Sequence, residues 1–170
     1  QQFTPSQYQW PLNRIFFEYH GERNARSGFR HLQKMRRYTN EFGPSGSLKN
    51  FIIKSQLYQA VGNKFNLEFC RAHKFQNSGI LIWQFNDIWP AISWSLVDWY
   101  GTPKPAYYWI KRAAAPLHIS ADYPKYLWNA GENFHATIHL LNGTYTTYKK
   151  LQYKATLYTM NSKILKQIKD

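Results

Sequence analysis

The sequence predicts an α/β segment followed by an antiparallel β segment. Two observations carry this. A long amphipathic run from Leu48 to about His73 leads into a nearly continuous apolar run, Ile80-Leu81-Ile82-Trp83-Gln84-Phe85. A helix followed by a short, almost wholly apolar stretch is the order of an α/β architecture, whose parallel strands are covered on both faces. After Pro116 the apolar period changes from 3.6 to 2, the pattern of strands with one covered face.

Each element has its own signal. Residues 1–21 read as irregular, with Pro5, Pro11 and an aromatic cluster at Phe16, Phe17 and Tyr19. Phe29, Leu32, Met35 and Tyr38 recur at helical spacing and predict a helix over 22–38. Glu41 to Ser47 is a Gly/Pro/Ser loop, and Ser47 is a good N-cap for the next helix. That helix presents Leu48, Phe51, Ile52, Tyr58, Val61, Phe65 and Phe69 on one face, and Asn77-Ser78-Gly79 stops it. The run 80–85 is the predicted buried strand. Lys104 to Ala115 reads as a further helix, with Pro103 and Pro105 near its start and Pro116 past its end. In the β segment Phe134, Ala136, Ile138 and Leu140 alternate with polar residues, as do Leu151, Tyr153, Ala155 and Leu157. Turns fall at Asn142-Gly143 and Asn161-Ser162. This predicts the start of an antiparallel sandwich. The boundary lies near 116–120, giving segments 1–116 and 117–170.

The chain has 170 residues, 44% of them apolar and 18% aromatic, with seven Trp and thirteen Tyr. That aromatic content excludes disorder. The net charge is +13, a balance that suits an acidic partner. The basic residues are spread from Arg14 to Lys169 rather than gathered in one block, so no nucleic-acid partner is expected. A single cysteine, Cys70, cannot form an internal disulfide and reads as a packed, inert thiol. No apolar run of about 18 residues predicts a membrane span. The sequence opens at Gln1 without Met or a signal-peptide pattern and reads as processed or excised.

The stretch from Gly79 to Tyr108 carries the chemistry. An apolar strand ends in Trp83, Asn86, Asp87 and Trp89. Indole faces stack on the apolar C–H faces of a sugar, and Asn and Asp hydrogen-bond hydroxyls. Trp83, Asn86, Asp87 and Trp89 are therefore candidates for a pyranose pocket. The alternative is that the Trp side chains are core and Asp87 caps a turn. Asp98 reads as a structural acceptor and His20 as a satisfied structural histidine near the pocket. His135 and His139 share a strand face, but about 13 Å of strand separates them, too far for one ion held at about 2 Å per ligand. No metal or cofactor is expected, and Gly43-Pro44-Ser45-Gly46 lacks the ending of a phosphate loop.

These residues resemble glycoside hydrolase family 2, in its β-mannosidase branch. Trp83 to Asp87 with Trp89, Ser93 to Ser95, Asp98 to Gly101 and Lys104 to Tyr108 match that branch's closing signatures in order and spacing. Trp10 to Gly21, Ser47 to Arg71 and Arg112 to Ser120 resemble its flanking segments. The resemblance implies a fold class of α/β plus β: the C-terminal portion of a (β/α)8 TIM barrel over 1–116, then the start of an immunoglobulin-like antiparallel β-sandwich over 117–170. It implies a retaining exo-β-glycosidase acting on terminal β-D-mannosyl residues. An exo-β-glucosaminidase or β-galactosidase of the same family, or a non-catalytic carbohydrate-binding protein, are the alternatives. Such enzymes use two carboxylates about 5–5.5 Å apart, and the resemblance places both before Gln1, in a missing N-terminal part of the same protein. It suggests a periplasmic or secreted setting. Within the chain, Asn40-Glu41-Phe42-Gly43 imitates the catalytic motifs. Glu41 follows a polar, helical stretch rather than a buried strand, so it reads as a loop carboxylate and not as the catalytic residue.

Overall fold

The computed structural model describes residues 5–21 and 31–169. A 3-10 turn at Ser6–Tyr8 precedes α1 (Arg14–Tyr19), α2 (His31–Asn40), α3 (Leu48–Ala72) and α4 (Pro105–Ala113). Four strands follow: β1 (Leu117–Asp122), β2 (Thr137–Asn142), β3 (Lys154–Tyr158) and β4 (Ile164–Lys169). The stretch expected to be irregular thus holds α1, whose Phe17 is buried against Leu12, Leu32 and Phe51. Burial of that aromatic outweighs the weak local propensity of a six-residue helix. Residues 22–30 of the helix expected over 22–38 lie outside the described residues.

Helix α3 is the longest element, and its start is the one the sequence marks. Ser47 is extended and its Oγ accepts the Asn50 N–H at 3.2 Å, satisfying one of the first turn's orphan donors. The buried face is turned from the expected one. Phe51, Ala60, Leu67 and Glu68 are buried, while Phe65 and Phe69 stay exposed. The reason is α4. Ala60 and Ala106, both fully buried, let the two helices approach closely, and Leu96, Ile82, Trp109 and Ile110 fill in around them. Pro105 opens α4 at a position where its missing N–H costs nothing.

The predicted strand over 80–85 is not a ladder strand. Its side chains alternate: Ile80, Ile82 and Gln84 are half-buried, whereas Leu81, Trp83 and Phe85 are exposed. A strand needs a neighbour to take its N–H and C=O groups. Among the described residues no backbone hydrogen bond is made along 80–83, and pairing begins only at the end, where Leu96 N–H donates to Gln84 O at 3.0 Å and Val97 N–H to Phe85 O at 2.8 Å. The Trp83–Gln84 peptide bond is cis.

The β segment forms two separate antiparallel hairpins. β1 pairs with β2 in the register Leu117↔Asn142 to Asp122↔Thr137. β3 pairs with β4 from Lys154↔Lys169, with an irregularity at Leu157/Tyr158. The expected turn at Asn161-Ser162 closes the second hairpin, with Ser162 in the left-handed region. No facing sheet covers Leu157, Ile164 or Ile168 among the described residues. The first hairpin docks on α3. Arg71 donates through Nη1 to Ala113 O and through Nη2 to Pro116 O at 3.2 Å. Gly143 N–H donates to the same Pro116 oxygen at 2.7 Å, and a Cβ at 143 would meet that oxygen at 3.2 Å. His118 Nε2 lies 2.7 Å from Glu68 Oε1, while Lys64 holds Oε2 at 2.6 Å.

Candidate functional site

The strand end and the loop after it form one hydrogen-bonded unit. Asn86 bridges Val97, and Val97 bridges Pro103. Asp87 N–H donates to Val97 O at 3.1 Å, and Leu96 N–H to Gln84 O at 3.0 Å. The far turn is built on Asp98, whose Oδ1 accepts the N–H groups of Tyr100 at 2.9 Å and Thr102 at 2.8 Å. This is the structural role read for it from the sequence. Gly101, at φ 78°, closes that turn in a conformation most side chains avoid. From α3, Gln59 Nε2 donates to Trp94 O at 2.6 Å and Ser95 O at 3.1 Å. From the other side, Ile92 N–H donates to His20 O at 2.6 Å and Gly21 bridges Ile92.

Three of the four candidates are exposed. Trp83 is 74% exposed and Trp89 42%, and Asn86 lies between them in sequence with its amide donating to Asp87 O at 3.1 Å. Trp89 is fixed by His20, whose imidazole stacks on it at 5.7 Å and holds Pro90 O at 2.9 Å. Asp87 is buried. Its Oδ1 accepts from Ser93 Oγ. Its Oδ2 has no hydrogen-bond partner and faces Lys104 Nζ at 4.0 Å. Lys104 donates to Ser95 Oγ at 2.9 Å and Ser93 O at 3.1 Å. Burial holds the Lys104 ammonium below its usual range, and the charges of Asp87 and Asp98 pull it partly back.

Glu41 stands in the turn after α2, exposed, with its N–H on Tyr38 O at 3.3 Å. Its charge, after burial, helps raise the Tyr58 phenol above its ordinary value. A cavity of about 600 Å³ opens between α2, α3 and the 90–104 loop, lined among others by Phe17, Phe51, Tyr58, Trp94, Trp99 and Lys104. None of the four candidates lines it. Ser93 and Lys104 form part of its wall and grip Asp87. Among the described residues no group of His, Cys, Asp or Glu is arranged to hold a metal ion, and no helix is long and apolar enough to cross a membrane.

Sequence reasoning took Ser93 and Lys104 only as ends of matched motifs, and Gln59 only as part of the helix that resembles a flanking segment. One signal was present: Lys104 occupies the N-cap of α4, where Ser, Thr, Asp or Asn is the rule and a cation opposes the helix macrodipole.

No protein-family model matches the chain. Curated relatives do. The chain is 56% identical over 77 residues, 42% of its length and 9% of the relative's, to β-mannosidase B of Thermothelomyces thermophilus. It spans about a tenth of the length of the curated relatives it matches. In fold it is similar to a β-D-mannosidase of Dictyoglomus thermophilum, with TM-score 0.64 and 23% identity over 99% of this chain and 24% of that one. It is also similar to an exo-β-D-glucosaminidase, with TM-score 0.72 and 23% identity over 92% of this chain and 18% of that one. The likeness in sequence to curated β-mannosidases and the likeness in fold to these solved glycosidases agree with the resemblance carried by Trp83 to Tyr108.

Proposed function

We propose that this chain is part of a retaining exo-β-glycosidase that removes terminal β-D-mannosyl residues, and that it supplies one wall of the sugar subsite. In this reading residues 1–116 are the end of a (β/α)8 barrel and 117–170 the start of an immunoglobulin-like sandwich. The carrying observation is that Trp83, Asn86 and Trp89 are exposed on a stretch held by buried Asp87 and by His20. A wide, open indole at a fixed strand end suits stacking under a pyranose ring. Asn86 offers an amide to a hydroxyl, and Asp87 orients the polar edge from below. The catalytic carboxylate pair belongs to the missing N-terminal part. There one carboxyl would attack the anomeric carbon while the other protonates the leaving oxygen, and water would then release the glycosyl-enzyme.

The test is hydrolysis of p-nitrophenyl β-D-mannopyranoside by the whole protein, with the anomer of the product followed by NMR. Retention of the β anomer is expected, with a kcat/KM about 30-fold lower in Trp83→Ala, the loss of roughly 2 kcal/mol typical of an aromatic anchor. Faster hydrolysis of the β-glucosaminide or β-galactoside would move the substrate. Binding of mannosides without hydrolysis would leave a carbohydrate-binding protein.

A further inference from the structure

Lys104 is an ammonium in an unfavourable place. Its side chain is only 12% exposed. It stands at the start of α4, whose first turn has no acidic residue to offset the positive end of the helix dipole. Burial alone would expel the charge or strip its proton. What faces it is a set of acceptors from one loop: Ser93 O, Ser95 Oγ and the carboxylate of Asp87. Gln59 of α3, a neutral amide, holds the carbonyls of Trp94 and Ser95 in the same loop. The second carboxylate that acts on Lys104, Asp98, is committed to two backbone N–H groups.

The Asp87 carboxylate is the other half of the problem. It is 5% exposed, and Oδ2 has no hydrogen bond. Among the described residues, the ammonium at 4.0 Å and the Ser93 hydroxyl on Oδ1 are what offsets its burial. Ser93 touches both groups, donating through its hydroxyl to Asp87 and accepting through its carbonyl from Lys104. Lys104, Ser93 and Asp87 therefore form a closed clamp on the residue that follows Asn86 and precedes Trp89 by two.

We propose that Lys104 is a positioning residue for the sugar edge, acting through Asp87 and Ser93 to fix the Asn86–Trp89 segment rather than touching the substrate. This rests on the sugar-site reading above. A truncated partner would leave Asp87 as a buried, uncompensated charge, and the segment would relax toward water. The loss would then appear in turnover of substrate that Trp89 and Asn86 must align, where a displacement of about 1 Å is costly.

The test is a double-mutant cycle in the whole protein with p-nitrophenyl β-D-mannopyranoside. Lys104→Met is expected to lower kcat/KM about tenfold, and Asp87→Asn by a similar factor. In the double variant Lys104→Met is expected to cost less than about twofold further, because the group it acts through is gone. Lys104→Arg, which keeps the positive charge, is expected to restore most of the kcat/KM lost in Lys104→Met. Equal losses from Lys104→Met in both Asp87 backgrounds, or no recovery of kcat/KM in Lys104→Arg, overturn the proposal. Should Lys104→Met not fold, Ser93→Ala carries the same cycle with a smaller single effect, and additivity there overturns it equally. If Trp83→Ala and Asp87→Asn both leave kcat/KM unchanged, the sugar-site reading itself has failed, an outcome distinct from additivity at Lys104.

Discussion

Trp83 lets the proposed sugar contact be tested apart from stability at the level of one side chain. At 74% exposure it contributes little to the core, so Trp83→Ala should leave the thermal midpoint nearly unchanged while activity falls; a large drop in the midpoint would make it a packing residue. Asp98 is the converse. It accepts two backbone N–H groups and makes no contact with the exposed edge. Asp98→Ala should cost roughly 1 kcal/mol in urea unfolding and move Trp99 and Tyr100 with the turn. Lys104 gives a pH signature. Its folded-state value is depressed, chiefly by burial, so between that value and lysine's ordinary range the unfolded chain binds more protons than the folded one. Stability therefore gains with rising pH over that alkaline window. The gain, measured as the wild type minus Lys104→Met difference in unfolding free energy, should be positive in slope there and flat at neutral pH.

At the level of elements, α3 is set by its cap and by one small residue. Ser47→Ala should cost about 1 kcal/mol, read by urea denaturation, since it removes the acceptor for Asn50 N–H. Ala60 has no exposure and faces Ala106. Ala60→Leu should cost about 1–3 kcal/mol by forcing α4 away, and because Ile82 and Leu96 pack in the same cluster it should disturb the loop bearing Asp87. A thermal midpoint unchanged by Ala60→Leu would show that the two helices do not approach as described. The cap was legible because Ser47 sits before a periodic run; the Ala60–Ala106 contact was not, because alanine carries no periodic signal and its partner is 46 positions away.

Across the whole molecule, the helical part and the first hairpin are joined by a few polar contacts rather than by a broad apolar face. Arg71 binds the end of α4 and the start of β1, and burial lowers its guanidinium's proton affinity slightly against the pull of Glu68. Arg71→Met should loosen this joint. Hydrogen exchange at Gly143 and along β1 should quicken while the α3 interior stays protected; equal quickening in both would mean that the two parts unfold together. Gly143→Ala should act on the same joint, because its Cβ would crowd the Pro116 oxygen.

The sequence by itself determined the α3 start, the α4 limits, the change of period after Pro116 and the resemblance carried by Trp83 to Tyr108, since caps, prolines and alternation are local. It also singled out Trp83, Asn86, Asp87 and Trp89 as one group, because four residues suited to a sugar fall within seven positions. Tertiary structure decided the rest. Whether 80–85 becomes a ladder strand depends on a neighbouring edge, not on its own apolar run. Whether Asp87 is exposed or buried depends on Ser93 and Lys104, which fold back over it from the loop. That Lys104, Gln59 and His20 converge on one loop is a matter of three distant elements meeting, and no spacing within the chain encodes the distance between them.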